Sequence, residues 1–252
     1  MVNLGLGKDV IKDIELVIFD RDGTLIDLYA YWSWMIGKRS EIICRDLDLG
    51  GVHLKKLILA MGIDEDNKRI MPDGPVGLKK REIVMRAAVD YLFSIGYPET
   101  ADICFNAFRQ TDILSSDNLD RIIKPINGVY ELFLKLTNNK CRVAIATTDK
   151  TERAKIAMDF LGLAKSIDFI VGEDRVNNCK PAPDMVNLIL YSLRVDKSNA
   201  VIVGDAVTDM EMGIRSGLKA SIGVCSGLTH EDRLSELTRY VIRDISEIKI
   251  FN

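Results

Sequence analysis

The stretch Leu16-Val17-Ile18-Phe19-Asp20-Arg21-Asp22-Gly23-Thr24-Leu25 runs from four consecutive apolar residues straight into two carboxylates two positions apart, then a glycine and a threonine. An apolar run of this length, bounded by turn residues, reads as a buried strand. Open parallel sheets place reactive groups and ligands at the carboxyl ends of such strands. Two acids held together at a strand end repel one another and lose solvation, which raises a pKa unless a cation lies between them. Mg2+, a hard cation that takes oxygen ligands and keeps several waters, answers that need. Asp20 and Asp22 are therefore candidate metal ligands. The plainer alternative is a metal-free surface turn, for which Asp-Gly-Thr is ordinary chemistry.

The whole-chain composition narrows the classes of function. With 252 residues, 47% of them apolar, the chain has material for one large or two modest packed domains. A net charge of -3 and no dense basic stripe leave nothing to neutralise a nucleic-acid backbone. No apolar run approaches the length of a membrane span, and Lys8, Asp9, Lys12 and Asp13 make the start unlike a secretory signal. The five cysteines (Cys44, Cys104, Cys141, Cys179, Cys225) form no close pair. They read as reduced thiols in a cytoplasmic setting.

Beyond the first strand, residues 28–124 show helical spacing of apolar positions without another strong strand signal. Within this part, 64–77 is polar and Gly- and Pro-bearing and must turn sharply. After Pro125 the pattern changes to helices alternating with short apolar strands at 142–146, 168–171, 201–203 and 220–224, with a further strand near 239–242. Such alternation implies βαβ units and an α/β fold, a doubly wound parallel sheet with helices on both faces. The expected organisation is an α/β core of residues 1–27 and 125–252, with an α-helical domain of residues 28–124 inserted after the first strand.

Three later stretches carry chemistry. The strand ending at Ala146 runs into Thr147-Thr148-Asp149, where a hydroxyl and amides at a helix start can cradle an anion. The same residues would serve as an ordinary helix cap. In Asn178-Cys179-Lys180-Pro181-Ala182-Pro183-Asp184 the prolines exclude helix and central strand, which leaves Lys180 on a rigid loop. A lysine there suits a phosphoryl oxygen and keeps a neighbouring carboxylate ionised. Val201-Ile202-Val203-Gly204-Asp205 ends a second apolar strand in an acid, and Asp209 follows one helical turn later. Asp205 can bind a metal directly, while Asp209 can hold a metal-bound water or orient the lysine.

Taken in order, these four stretches resemble the four motifs of the haloacid dehalogenase superfamily of phosphatases and phosphomutases, and most closely its phosphoglycolate-phosphatase-like members with a helical C1 cap. The resemblance implies a Rossmann-like core and Mg2+ as cofactor. It implies Asp20 as nucleophile, Asp22 as general acid and base, Thr147 as the second-motif hydroxyl, Lys180 as the third-motif lysine, and Asp205 and Asp209 as the fourth-motif acids. Thr147, Thr148 and Lys180 would bind phosphate; Asp20, Asp22, Asp205 and Asp209 would hold the metal. Arg21 departs from the apolar residue more usual there, and is expected to turn away from a metal. The second acid, Asp22, disfavours carbon–halogen chemistry, because the dehalogenases lack it.

The implied activity is Mg2+-dependent hydrolysis of a small phosphorylated metabolite, phosphoglycolate-like or a sugar phosphate, through an aspartyl phosphate. A phosphosugar mutase of the β-phosphoglucomutase type and a non-catalytic phosphometabolite-binding module stand as alternatives. The expected partner is the small metabolite alone, with no nucleic acid and no membrane, and the protein a monomer or homodimer. Gly62, the stretch 73–80 and the bases Lys79, Lys80 and Arg81 are candidates for reading the leaving group.

Overall fold

The structure is a computed structural model and describes residues 1–71, 74–76 and 81–251. The chain divides into two compact units, Met1–Asp27 with Pro125–Asn252, and Leu28–Lys124. The first begins with strands β1 (Val2–Leu6), β2 (Asp9–Ile14) and β3 (Leu16–Phe19). The second holds helices α1 (Leu28–Asp46) and α2 (Gly51–Ala60), strands β4 (Ile63–Asp64) and β5 (Arg69–Ile70), and helices α3 (Arg81–Ser94), α4 (Ala101–Ser115) and α5 (Leu119–Ile122). The first unit resumes with α6 (Val129–Asn138), β6 (Arg142–Ala146), α7 (Thr151–Phe160), β7 (Phe169–Val171) and α8 (Asp184–Leu193). It finishes with β8 (Ala200–Gly204), α9 (Val207–Ser216), β9 (Ala220–Val224), α10 (Glu231–Ser235), β10 (Tyr240–Ile242) and β11 (Ile248–Phe251).

Six strands of the first unit form one sheet in the order β10-β9-β8-β3-β6-β7, with every pairing parallel. β3 is central, with Leu16 opposite Arg142 on one side and Ala200 on the other. All four of its residues are buried, as expected of a parallel strand covered on both faces. The chain fills the sheet outward from β3 on one side through β6 and β7, then returns to β8 on the other. Asp20 follows β3 at that change of direction, where open α/β sheets form their ligand crevice.

The helices beside the sheet follow from their apolar spacing. In α6 the buried residues are Val129, Leu132, Phe133 and Leu136, a single stripe at helical offsets, and Phe133 meets Phe19 of β3 with ring centroids 5.4 Å apart. Met185, Val186 and Ile189 of α8 and Met212 of α9 bury against Leu16, Ile18, Ala144 and Ile202 of the sheet. This packing anchors the strand ends from which the polar groups project.

The ends of the chain hold an element that the sequence analysis does not anticipate: β1, β2 and β11 form an antiparallel sheet with β1 in the middle. The β1–β2 turn uses Gly7 at φ +61°, but β1 is complete only when Asn3 pairs with Phe251, a partner no local pattern announces.

In the helical unit, α1 is one continuous helix that buries Met35, Ile36, Ile42 and Ile43 together with the charged Arg39. Ile63 pairs with Ile70 in a two-stranded hairpin, β4–β5, which overlaps the start of the segment 64–77 read as a sharp turn. The Arg39 guanidinium lies 4.1 Å from the centre of the Phe108 ring. Arg81 Nη1 donates to Asp112 Oδ2 at 2.6 Å, so Arg81 is committed to a partner inside its own unit. Burial pushes the pKa of Arg39 down to about 10, with nearby Asp112 opposing the shift. Lys79 and Lys80 lie outside the described residues. No described helix is long and apolar enough to cross a membrane.

Candidate active site

Parallel pairing brings the ends of β3 and β8 side by side, and the Asp20 N–H donates to the Val203 carbonyl at 2.8 Å. Asp20 and Asp205 thus leave adjacent strands at the same level. Asp209 lies in the first turn of α9, where its Oδ2 accepts from the Ala206 N–H at 3.1 Å. Carboxylate oxygens of Asp20, Asp205 and Asp209 lie within 4.8 Å of one another, all three residues buried. Lys180 reaches this group from the loop before α8. Its Nζ donates to Asp20 Oδ1 and to Asp209 Oδ1, each at 2.6 Å, and its side chain is 2% exposed.

The charge balance of this cluster is unfavourable without a further cation. Three buried carboxylates face one ammonium, and the medium is too dry to screen the excess. Burial raises the Asp20 pKa to about 6, with Lys180 lowering it and Asp209 raising it. Asp205 is pushed well above its ordinary range, first by burial and then by Asp20 and Asp209. Burial disfavours the Lys180 ammonium, but its two carboxylate partners outweigh burial and its pKa rises. An all-oxygen donor set carrying surplus negative charge fits a hard divalent cation such as Mg2+. Asp20, Asp205 and Asp209 are the residues that could hold it.

Asp22 is not brought into that group, in contrast to the metal-ligand expectation. Its Oδ2 accepts from Arg21 Nε at 3.0 Å and from Arg21 Nη2 at 2.5 Å, and the same Nη2 donates to Asp149 Oδ2 at 2.8 Å. The adjacent guanidinium gives the Asp22 carboxylate a counter-charge of its own. Burial raises the pKa of Asp22, opposed by the Arg21 charge. The expectation for Arg21 named no partners; the structure supplies two, Asp22 and Asp149.

Thr147 follows β6 directly and is completely buried, its Oγ1 accepting the Asp149 N–H at 3.1 Å. Thr148 is exposed. Cys179, beside Lys180, has its thiol pKa raised by burial and by Glu173 and Asp184, the opposite of an activated cysteine.

One functional position went unread in the sequence. Gly227, in the loop after β9, lies so close to Asp205 that a Cβ there would fall 1.7 Å from Asp205 Oδ2. The neighbouring Ser226 hydroxyl donates to the Gly23 carbonyl at 2.6 Å, and the Leu228 N–H donates to Asp205 Oδ2 at 3.2 Å. This loop therefore sets the Asp205 carboxylate. The only sequence signal is a serine–glycine pair after a strand, which ordinarily marks a turn. Gly227→Ala is expected to displace Asp205 and weaken Mg2+ binding by about 10–100-fold, as loss of support behind a metal ligand does. Calorimetric Mg2+ titration checks this, and an unchanged affinity would show that the loop does not position Asp205.

The family model of the haloacid dehalogenase-like hydrolases matches residues 76–223, more than half of the chain, and the chain belongs to this family. Thr147, Lys180, Asp205 and Asp209 lie inside the matched residues, while Asp20 and Asp22 precede them. Pyrophosphatase PpaX of Halalkalibacterium halodurans is 30% identical over 130 residues, 51% of this chain and 60% of that protein. The chain spans about half to three fifths of the length of the first curated relatives it matches. Among solved structures, a predicted phosphoglycolate phosphatase from Haemophilus somnus 129PT superposes with a TM-score of 0.69 at 18% identity, covering 94% of this chain and 97% of that one. A HAD-superfamily hydrolase of subfamily IA from Geobacter sulfurreducens gives a TM-score of 0.64 at 18% identity, covering 93% and 94%. At these identities the likeness establishes the Rossmann-like fold.

Proposed function

We propose that the protein is a Mg2+-dependent phosphatase that hydrolyses a small phosphorylated metabolite, phosphoglycolate-like or a sugar phosphate, through an aspartyl phosphate. The observation that carries this reading is the single Lys180 Nζ shared by Asp20 and Asp209 beside Asp205, at the ends of β3 and β8. Bound there, Mg2+ would supply charge neutralisation for the phosphoryl oxygens and orient them for in-line attack.

The chain's own groups divide the remaining work. Lys180 pins Asp20 Oδ1, which leaves Oδ2 as the attacking oxygen, and supplies positive charge where the phosphoryl group gathers negative charge. As the Asp20–phosphorus bond forms, the bond to the leaving oxygen breaks and Asp22 gives that oxygen a proton. Asp22 then takes a proton from water, which attacks phosphorus and releases Asp20. Thr147 Oγ1 already accepts the Asp149 N–H, so its own O–H is available to a phosphoryl oxygen, and the exposed Thr148 can add its amide. The helical unit, 28–124, is assigned as the cap that reads the leaving group.

Phosphate release from a panel of phosphorylated metabolites, with Mg2+ and with EDTA, tests the reading directly. Metal-dependent release supports it. Silence across the panel overturns it, and sugar-phosphate isomerisation under the same conditions would identify a mutase instead.

The raised pKa values give a second test that needs no substrate. A buried carboxylate whose folded pKa exceeds its unfolded value near 3.8 destabilises the fold as it ionises. That penalty begins as pH rises above the unfolded value and is complete above the folded one, about 6 for Asp20. Metal-free protein is therefore expected to carry the full Asp20 penalty at pH 7.5, and Mg2+ to relieve it. At a concentration about 100 times Kd, linkage contributes about 2.7 kcal/mol, or roughly 5–10 °C in Tm for a chain of this size. At pH 5 protons compete for the same oxygens, and the Mg2+ shift should shrink. An equal shift at both pH values, or none, would count against this site as the metal centre.

A further inference from the structure

Among the described residues, Arg21 is a buried charged group beside this constellation that the proposed chemistry leaves unused. Its side chain is 8% exposed, and no interior position tolerates a guanidinium without a compensating role or partners. The partners are specific. Nε and Nη2 both donate to Asp22 Oδ2, while Nη2 also donates to Asp149 Oδ2. Asp149 is in turn joined to the candidate cradle, its N–H donating to Thr147 Oγ1. A continuous polar chain therefore runs Thr147–Asp149–Arg21–Asp22, linking the loop after β6 to the loop after β3. The backbone holds the Arg21 end rigidly, because its carbonyl accepts from both Leu25 N–H at 2.8 Å and Ile26 N–H at 3.0 Å.

We propose that Arg21 is a positioning residue for leaving-group protonation: by occupying Asp22 Oδ2 while anchored to Asp149, it confines the transferable proton to Asp22 Oδ1 and fixes where that oxygen stands relative to the phosphate cradle. This rests on the phosphatase reading above. A carboxylic acid has two oxygens and its side chain rotates; an acid catalyst is effective only when its O–H faces the departing oxygen. Two N–H donors on one oxygen remove that ambiguity. The 29% exposure of the Asp22 side chain keeps the group reachable from solvent, as an acid that must meet a leaving group requires.

The prediction concerns which substrates suffer. A leaving group such as p-nitrophenolate departs without a proton, whereas phenolate gains much more from one. In kcat/KM, which reports the steps up to cleavage of the first P–O bond, Arg21→Met should cost little on p-nitrophenyl phosphate and much more on phenyl phosphate. The ratio of the two is expected to widen by about tenfold or more, part of the 10²–10⁴ typical of general acid catalysis. Asp149→Asn, which loosens the far end of the same chain without touching Asp22, should shift the ratio in the same direction by less. Arg21→Lys should restore part of it, since an ammonium can reach one carboxylate but lacks the fork that serves two. Mg2+ affinity should stay within a few-fold of wild type throughout, because the Arg21 guanidinium is spent on Asp22 and Asp149, while its contact with a candidate ligand, Asp20, is made by the backbone N–H that every variant keeps.

Equal losses on both substrates in Arg21→Met and Asp149→Asn, or no loss on either, would overturn the assignment and leave the phosphatase reading standing. Should Arg21→Met not fold, the ratio in Asp149→Asn decides alone. Wild-type protein that releases phosphate from neither aryl ester nor any panel compound would defeat the phosphatase reading and the Arg21 assignment with it.

Discussion

Asp20→Asn is expected to reduce turnover by about four orders of magnitude or more, the scale on which loss of a covalent nucleophile registers, while leaving the fold intact and the metal-free protein more stable at pH 7.5. The two effects have one origin. Burial raises the Asp20 pKa to about 6, so at neutral pH its charge is held in the folded state against its preference. An amide of the same shape removes that charge, and with it the penalty. Lys180 keeps its bond to Asp209 Oδ1, so the ammonium is not orphaned. Loss of function with gain of stability is the mark of a site built for reactivity. Rate measurements on purified variant and wild type, paired with thermal melts in EDTA, check both halves. Near-normal turnover in the variant would sink the aspartyl-phosphate mechanism.

Lys180→Met reverses the stability sign. Turnover falls here as well, because the charge that steadies Asp20 and meets the phosphoryl oxygens is gone. The metal-free variant, however, is expected to lose about 3–5 kcal/mol at pH 7.5, the usual cost of removing one partner from a buried ion pair. Asp20 and Asp209 then confront each other and Asp205 without a counter-ion, and the Asp20 and Asp205 carboxyls, already raised by burial, lose the charge that was lowering them. The penalty is present above the unfolded pKa near 3.8 and complete above the new folded values, so it should fade as pH is lowered towards 5 and protons replace the lysine. Urea melts at pH 5 and pH 7.5 measure the difference. Mg2+ should recover part of the loss at the higher pH. A variant as stable as wild type at pH 7.5 would mean that the 2.6 Å contacts of Lys180 contribute nothing net.

Much of the fold was legible because the information is local. Leu16–Phe19 and Ala200–Gly204 announce buried parallel strands by their unbroken apolar runs. The alternation of helix and strand after Pro125 leaves few arrangements other than a doubly wound sheet. The α-helical character of 28–124 was equally visible, but Arg39 at an interior position of α1 was not, since a charged residue on a helix reads as solvent-facing until Phe108 and Asp112 are known to cover it. The terminal sheet escaped notice because β1 is completed only by β11, at the opposite end of the chain.

By itself the sequence determined the chemical inventory and its order: an acid pair after the first apolar strand, a threonine after the second, a lysine just ahead of two prolines, and two acids at and beyond the end of another strand. Each is a short-range pattern with a physical reason of its own. Only the tertiary structure decided how that inventory is shared. It joined Lys180 to Asp20 and Asp209 across 160 and 29 positions, and gave Asp22 to Arg21 rather than to the acidic cluster. It also made Gly227 the wall behind Asp205. The reason is that a side chain's partner depends on strand register and loop path, which long-range pairing sets. Two neighbouring carboxylates, Asp20 and Asp22, that look equivalent in the sequence leave the same loop towards different counter-charges.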